Sequence, residues 1–508
     1  MRAYRLACFL ACVAPALAGT LSVRILDENS RPTPARVYVT DASGKAYFAP
    51  GAIVYDKTRG DLSERHFVPP GGAFTLDLPA GPYRIEIERG KEYLPVGERI
   101  AVPSVGKVDK TVRLARWVRM TDAGWYSGDM HPHRPLADMA TLMEADDLNA
   151  AVPITRWRRT TPGIEQDPQL DAFLAKADAG GVYHATDRRW FTVLNEELEP
   201  RSAALLVSRL GRAGTVLEYP MADYAAAARR RGALVDSEKA TSVELPVVAA
   251  LGGVQLVGLA NNHLWRSGCY AGAWGVWPDA LPHPYPATCE GFIRAGFEIY
   301  YGLLNMGFPL KLSAGSASGV HPVPLGWSRI YVHVPGNPTP RAWFAALETG
   351  RSFATTGPML LLRVEGHEPG EEFSGAPREV TADLRMLSRQ PIAAAEVVVN
   401  GHVERVALAP ETGRPHGFRG TARLRLDGSA WIAARWVEGR DTAHTSPLYY
   451  RVAGKPIPVP REQAAWFAGR VEQLIAGIQD APGGEAVRER TLARLRQALA
   501  VYRSKLAP

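Results

Sequence analysis

The sequence has few cysteines and no apolar run long enough to cross a membrane comfortably. Among its 508 residues, the apolar run Leu6 to Leu17 is shorter than the roughly 20 residues of a spanning helix. Arg2 and Arg5 precede this run and the small-x-small triplet Ala16-Leu17-Ala18 ends it, which predicts a signal peptide over residues 1–18. An uncleaved anchor is the alternative. We therefore expect a periplasmic or secreted protein with no membrane span after cleavage.

Only four cysteines are present, and Cys8 and Cys12 fall inside the predicted signal peptide. Cys269 and Cys289 remain in the exported chain. In an oxidising compartment this pair is expected to form a disulfide that closes one loop. Two free, buried cysteines are the alternative.

Strong charge of one sign is also missing, since the formal net charge is only +7 over the whole chain. Two short basic clusters lie at 156–159, where Trp157 is the one aromatic residue, and at 229–231, which has none. Such clusters are usually solvated surfaces, so no nucleic-acid partner is expected. No internal repeat, low-complexity tract or glycine-rich phosphate loop is found, and oligomeric state is left open.

The chain is long enough for three to four structural units. Residues 19–117 alternate apolar and polar residues between Pro/Gly turns, which predicts a β-sandwich resembling transthyretin-like or carboxypeptidase-regulatory-like domains. Residues 118–360 alternate apolar β-like runs with helical stretches, which favours an α/β layer or barrel. Residues 361–455 return to a β-sandwich pattern. Residues 456–508 show a helical apolar stripe and predict a helical hairpin tail.

The sharpest local feature is the segment Gly128-Asp-Met-His-Pro-His133. In a strand, residues two apart point to the same face, so His131 and His133 are predicted to reach one metal ion. Neutral imidazole is a common ligand for zinc, manganese or iron. An isolated His-x-His pair is often without function, so partners are needed.

Candidate partners follow other apolar runs: Glu197 or its neighbour Glu196, then Asp236, then His263. Residues at the ends of separate strands can converge at one mouth of an α/β fold. Each has an ordinary alternative. The glutamates can be solvated loop charges, Asp236 can cap a helix, and His263 can be a satisfied, partly buried histidine.

The run Trp125-Tyr-Ser-Gly-Asp-Met-His-Pro-His133 resembles the first motif of the PHP (polymerase and histidinol phosphatase) superfamily. The resemblance is strongest to the carbaryl-hydrolase-like (CehA/McbA-type) branch of exported metallohydrolases. Further similar segments are Gly232 to Lys239, Gly258 to His263, Ser313 to Gly319 and Arg351 to Pro358.

This resemblance implies a fold class: a distorted (β/α)7 barrel flanked by two β-sandwiches, with the helical tail at the end. It implies divalent metal ligands at His131, His133, Glu197, Asp236 and His263. The sequence departs from the family where Thr155-Arg156-Trp157 replaces Thr-Asp-His and where Gly315 to Gly319 lacks the usual aspartate and histidine. His321 lies two residues beyond that segment, out of register. One ion is therefore expected rather than three.

The resemblance also implies hydrolysis of an ester, carbamate or phosphoester in a small-molecule or glycan substrate by a metal-bound hydroxide. In that reading Asp236 or Glu238 is the general base, and Arg156 or Lys239 neutralises the developing oxyanion. Arg134 is a further candidate for the second role. The alternative is a catalytically degenerate protein with a binding or structural role in carbohydrate or protein recognition.

Overall fold

The computed structural model describes residues 18–159, 164–199, 203–210, 220–270, 281, 284–478 and 484–506. The predicted signal peptide up to residue 17, and Pro482 and Gly483 of the predicted break between the last helices, lie outside these ranges. Within them, no helix combines the length and apolar character needed to cross a membrane.

The N-terminal part of the chain is all β structure, and its strands alternate buried and exposed residues. Two sheets, ordered β5-β1-β8 and β3-β4-β2-β6-β7, pack around a core that includes Val23, Val37 and Ile85. The alternation arises because successive side chains of a strand face opposite sides of the sheet. The strands are β1 (Ala18–Leu26), β2 (Arg36–Asp41), β3 (Ile53–Arg59), β4 (Leu62–Val68), β5 (Ala73–Pro79), β6 (Gly81–Glu88), β7 (Val96–Val102) and β8 (Lys107–Arg113).

The central part mixes strands and helices, and buried apolar runs form its strands. It begins with a 3₁₀ turn (Met120–Ala123). Its strands are β9 (Trp125–Asp129), β10 (Ala150–Ala151), β11 (Arg156–Arg158), β12 (Glu165–Gln166), β13 (Val182–Thr186), β14 (Arg189–Thr192), β15 (Glu196–Leu198), β16 (Leu205–Ser208), β17 (Leu234–Ser237), β18 (Leu256–Ala260), β19 (Leu264–Trp265), β20 (Gly268–Cys269), β21 (Lys311–Ala314), β22 (Arg329–His333) and β23 (Ser352–Thr355). Its helices are α1 (Leu136–Ala145), α2 (Leu170–Lys176), α3 (Met221–Arg230), α4 (Leu245–Ala250), α5 (Cys289–Asn305) and α6 (Pro340–Thr349).

The central strands divide between two main hydrogen-bonded sheets. One has seven strands in the order β12-β11-β15-β16-β17-β18-β21, and the neighbours β17, β18 and β21 run parallel. The other contains β13-β14-β10-β9-β22-β23. The two sheets meet where the amide of Met130 donates to the carbonyl oxygen of Ala314 at 3.0 Å. The mixed α/β character is therefore confirmed, whereas closure into a (β/α)7 barrel stays a prediction.

The strands of the C-terminal β region are β24 (Met359–Val364), β25 (Glu372–Ser374), β26 (Arg378–Leu387), β27 (Ala394–Val399), β28 (His402–Ala407), β29 (Ala409–Pro410), β30 (Gly417–Leu426), β31 (Ala430–Glu438), β32 (Asp441–Thr445) and β33 (Leu448–Arg451). Asn400 and Gly401 form the two-residue turn between β27 and β28, with φ angles of 51° and 92°. Positive φ at both positions is the requirement of a type I′ hairpin, which explains the Asn-Gly pair.

The second main sheet continues from the central part into the C-terminal part. β23 pairs antiparallel with β32, and the order runs on through β31, β27 and β28. A second, four-stranded sheet, β24-β26-β30-β29, packs against it around its own hydrophobic core. The division of the chain at residue 360 thus crosses one continuous sheet, and the domain bounds stay a prediction.

The chain ends in two helices, α7 (Arg461–Ala476) and α8 (Glu485–Ser504). Leu495, Leu499 and Tyr502 of the expected apolar stripe are buried, and Tyr502 stacks on Phe467 with ring centroids 5.2 Å apart. The Tyr502 hydroxyl donates to the carbonyl oxygen of Pro246 at 2.7 Å. The helical tail is therefore confirmed, and it packs on the central part.

Candidate metal centre

Three side chains converge just beyond the end of β9. The Nε2 atoms of His131 and His133 lie 3.0 Å apart. An oxygen of the Glu197 carboxylate lies 3.3 Å from the first nitrogen and 2.9 Å from the second. His131 and Glu197 are only 2% and 3% exposed, so the group is shielded from solvent. Within the described ranges these three residues form a group that could hold a metal ion.

The two histidines do not lie in the strand, as the sequence pattern had suggested, because β9 ends at Asp129. Hydrogen bonds to a neighbouring loop hold them instead. The amide of His133 donates to the carbonyl oxygen of Ser318 at 2.7 Å. The amide of Ala317 donates to the carbonyl oxygen of His131 at 2.6 Å. The loop after β21 thus holds the backbone of both histidines in place.

Asp129 anchors the two histidines, a role that no local sequence pattern predicts. Its carboxylate accepts from the amides of His131 and Ser316, both at 3.0 Å, and from the amide of Gly326 at 2.8 Å. The Ser316 hydroxyl donates a further bond at 2.5 Å. Four donors around one fully buried carboxylate tie the histidine segment to two points of the connection between β21 and β22.

The acidic member of the group is Glu197 rather than its neighbour. Both residues lie in β15, where adjacent side chains point to opposite faces of the sheet. Glu196 points away and pairs with the guanidinium of Arg158. Trp157, opposite Glu197 on β11, packs on His133 with ring centroids 4.7 Å apart. Strand register therefore decides between the two glutamates.

The charges of the group stabilise one another. Burial opposes ionisation of Glu197, but His131 and His133 hold the pKa of this carboxyl well below its usual range. Burial also opposes protonation of His131, yet the carboxylate of Glu197 raises its pKa. For His133 burial prevails and lowers the pKa. The result is an ionised carboxylate whose charge favours a proton on His131, so a metal ion would bind in place of that proton.

The donor set fits a transition-metal ion. Two imidazoles and one carboxylate are a known combination for zinc, with metal–ligand distances of about 2.0–2.2 Å. Tetrahedral ligands at such distances lie roughly 3.4 Å apart, close to the 2.9–3.3 Å observed here. His131, His133 and Glu197 would thus hold the ion, and further positions around it would remain for other ligands.

The three residues open onto a cavity of about 210 Å³. Several of its lining residues were not predicted from the sequence, because they come from distant segments: Arg59, Arg159, Glu199 and Tyr270. His321, which the sequence left out of register, also lines the cavity. Burial, aided by Glu197 and Glu238, raises the pKa of Glu199 to about 7.

The residues predicted to perform catalysis are only partly brought together. Glu238 and Lys239 line the cavity, but they form an ion pair of 2.6 Å with each other. The side-chain amide of Asn262 donates to the other oxygen of Glu238, and this oxygen lies 3.9 Å from Nδ1 of His131. Asp236 is buried outside the cavity lining, and burial raises its pKa to about 7.

Two further predicted residues take other positions. Arg156 does not line the cavity, because its guanidinium turns to the side-chain oxygen of Gln166 at 3.3 Å. His263 lines the cavity, but it does not belong to the group that could hold a metal within the described ranges. Burial, with Lys239 nearby, lowers the pKa of His263 well below its usual range. The structure therefore gathers three of the five predicted ligands.

Comparison with known proteins gives no family for this chain. No known protein family matches the sequence, and no curated protein does. Similar solved structures include the Bacillus anthracis TIE protein, at 14% identity over 24% of this chain and 20% of that one, with a TM-score of 0.14. A Streptococcal ancillary pilin matches at 14% identity over 24% of this chain and 38% of that one, with a TM-score of 0.16.

A third similar structure is BcpA, the major pilin subunit of Bacillus cereus, at 8% identity over 87% of this chain and 97% of that one, with a TM-score of 0.16. TM-scores this low do not show that this chain shares the fold of any of the three structures. The chain also spans well under two thirds of the first two proteins. The PHP resemblance is tested by none of these comparisons and stays a prediction.

The prediction of a metal-dependent hydrolase is wrong. The structure does not place the predicted catalytic groups as that prediction requires, because the proposed base Glu238 is paired with Lys239 and the proposed oxyanion partner Arg156 lies outside the cavity. The alternative, a binding or structural role, is the better interpretation.

Proposed function

We propose that this chain is an exported, non-catalytic binding protein that holds one divalent ion, zinc, manganese or iron, between His131, His133 and Glu197. The observation that carries the proposal is the convergence of two imidazole nitrogens and one carboxylate oxygen within 3.3 Å of one another. When bound, such an ion supplies a Lewis-acid centre for an oxygen atom of a ligand.

The non-catalytic part of the proposal rests on the carboxylates that line the cavity. A general base needs a carboxylate that is free to take a proton from the reacting group. Glu197 faces the two histidines, Glu238 is held by Lys239, and Glu199 accepts from the indole of Trp157 at 2.7 Å. Each of these carboxylates has a partner within the protein, and Glu199, with a pKa of about 7, is the one that exchanges a proton near neutral pH.

The size of the cavity bears on the kind of partner. About 210 Å³ is below the range of roughly 300–1,000 Å³ that clefts for whole small molecules occupy. A terminal group of a larger partner fits better, such as a carboxylate side chain of a protein or the end of a glycan. Arg59 would give an anionic group a favourable charge there.

Export and the barrel-like closure of the central sheets are further parts of the proposal. The predicted signal peptide and the disulfide between Cys269 and Cys289 both suit an oxidising compartment outside the cytoplasm. The hydrogen bond from Met130 to Ala314 supports closure of the two central sheets around the site.

Metal content tests the central claim. We expect about one ion per chain in the purified protein by elemental analysis, and loss of that ion in His131→Ala and in Glu197→Ala. His402→Ala is the matched control, because His402 is an exposed histidine far from the site in the sequence. Equal, near-zero metal in all four proteins would overturn the proposal.

Turnover tests the non-catalytic claim. We expect the metal-loaded protein to hydrolyse ester, carbamate and phosphoester substrates no faster than His131→Ala does. Hydrolysis by the loaded protein that disappears in this variant would refute a purely binding role, and it would leave the metal site itself intact.

A further inference from the structure

A second and larger cavity lies away from the metal centre, at the junction of three parts of the chain. It has a volume of about 870 Å³ and shares no lining residue with the metal cavity. β2 and β6 of the N-terminal sandwich supply one wall, Trp327 before β22 supplies another, and the C-terminal sheets supply the third. We call this cavity the Trp327 cleft. Its volume lies within the range of about 300–1,000 Å³ that is typical of ligand clefts.

The Trp327 cleft is strongly cationic. Six arginine and lysine side chains line it, against two carboxylates. Both carboxylates are already paired with arginines. Glu88 lies 2.6 Å from the guanidinium of Arg36 and 2.9 Å from that of Arg266, and Glu86 also contacts Arg266. The remaining positive charge of the cleft is therefore not balanced from within.

Three cations carry that excess: Lys91, Arg389 and Arg440. Among the residues that the structure describes, none of the three has a carboxylate within ion-pair distance. Lys91 is only 3% exposed, and its ammonium donates to the carbonyl oxygen of Thr356. One guanidinium nitrogen of Arg389 donates to the carbonyl oxygen of Tyr93 at 3.4 Å. Carbonyl oxygens solvate these cations but do not neutralise them.

Two of the three cations, Lys91 and Arg440, lie over one aromatic ring. The ammonium of Lys91 lies 3.3 Å from the ring centroid of Trp327, and the guanidinium of Arg440 lies 6.0 Å from it. Burial, with Arg329 and Arg389 nearby, lowers the pKa of Lys91 well below its usual range. Burial thus disfavours the charged form of Lys91, against the partial opposition of Asp441, and an anion that entered the cleft would stabilise that charged form.

We propose that the Trp327 cleft binds an acidic oligosaccharide, whose carboxylate or sulfate groups pair with Lys91, Arg389 and Arg440. The lining has few apolar side chains besides Leu94, Pro95 and Trp327, which disfavours an apolar ligand. Thr40 and Gln390 offer hydrogen-bonding groups to sugar hydroxyls, and an indole is a common stacking surface for a pyranose ring. A simple anion would use only the cations.

The test uses the full chain and two acidic probes, trigalacturonate and a heparin-derived tetrasaccharide, in titration calorimetry at low and physiological salt. Maltotriose is the neutral control. We expect at least one of the acidic probes to bind. Its binding should weaken as the salt concentration rises, and maltotriose should bind at least about tenfold more weakly. Tighter binding of the heparin tetrasaccharide would show that sulfate groups add to binding, because trigalacturonate carries carboxylates only.

Variants locate the site. We expect Arg389→Gln and Arg440→Gln each to weaken binding of the better acidic probe by about tenfold or more. Arg341→Gln, which removes one exposed positive charge on α6, is the matched control and should bind as the unmodified chain does. Thermal unfolding of each variant checks that the fold is kept.

Three results would overturn the proposal: no binding of either acidic probe, equal binding by the Arg389 and Arg440 variants, or equal binding of maltotriose or inorganic phosphate. The outcome is independent of the metal site. His131→Ala is expected to lose metal and to bind the acidic probe normally, whereas Arg389→Gln is expected to keep its metal.

Discussion

Gly319 lies so close to His133 that a Cβ atom added at position 319 would come within 2.0 Å of the His133 carbonyl oxygen. The φ angle of Gly319 is +116°, which side-chain-bearing residues rarely adopt. A side chain at position 319 would therefore collide with the backbone that holds His133.

Replacement of Gly319 by alanine is therefore expected to destabilise the fold. We expect a loss of about 2–4 kcal/mol in the free energy of unfolding, from the unfavourable backbone conformation and the steric clash together. Urea denaturation measures it. Gly307→Ala is the matched control, since Gly307 also has a positive φ, of +86°, but no neighbouring atom within 4 Å. Equal losses in the two variants would refute the role of the contact.

Asp129 is expected to be essential for the geometry of the metal centre although it is not a ligand. Asp129→Asn places an N–H group against at least one of the four donors that now surround the carboxylate. We expect a loss of about 2–4 kcal/mol in unfolding free energy and weaker metal retention on dialysis against a chelator. Asp122→Asn, an exposed aspartate with a side chain 74% accessible, should change neither.

His444 predicts a pH dependence that is separate from the metal centre. Burial lowers the pKa of His444 to about 3, although the hydrogen bond to the carbonyl oxygen of Thr445 acts to raise it. Its Nε2 lies 2.7 Å from the hydroxyl oxygen of Tyr301. Between pH 6.5 and 3 the unfolded chain binds a proton at this residue and the folded chain does not. Its contribution to stability is therefore present above pH 6.5 and is lost as pH falls toward 3.

The comparison of His444→Gln with the parent chain measures this effect. We expect the difference in unfolding free energy between the two to shrink by up to about 1.4 kcal/mol per pH unit on acidification below pH 6. His402→Gln, at an exposed position, should keep the parent's pH dependence. Parallel pH profiles for His444→Gln and the parent would show that His444 is not the titrating group.

The disulfide between Cys269 and Cys289, confirmed with a Cα–Cα distance of 5.7 Å, closes a loop with a sequence separation of 20 residues. We expect its removal in a Cys269→Ser, Cys289→Ser double variant to lower the unfolding free energy by about 3 kcal/mol, because the unfolded chain gains conformational freedom. Denaturation with and without dithiothreitol provides the measurement. Reductant should destabilise the parent chain and leave the double variant unchanged.

Local sequence pattern accounts for several features of the fold. The Asn400-Gly401 hairpin, the buried stripe on α8 and the alternating strands of the N-terminal sheets all depend on short-range conformational preference or on side-chain periodicity. The pairing of Cys269 with Cys289 followed from there being no other cysteine beyond the predicted signal peptide.

The sequence by itself determined that His131 and His133 stand two residues apart and therefore share a neighbourhood. Only the tertiary structure decided which partners reach them. The register of β15 against β11 selected Glu197 over Glu196, and the fold gave Glu238 an ion pair with Lys239 rather than with the histidines. Long-range contacts of this kind depend on how distant segments pack, and no local pattern encodes that packing.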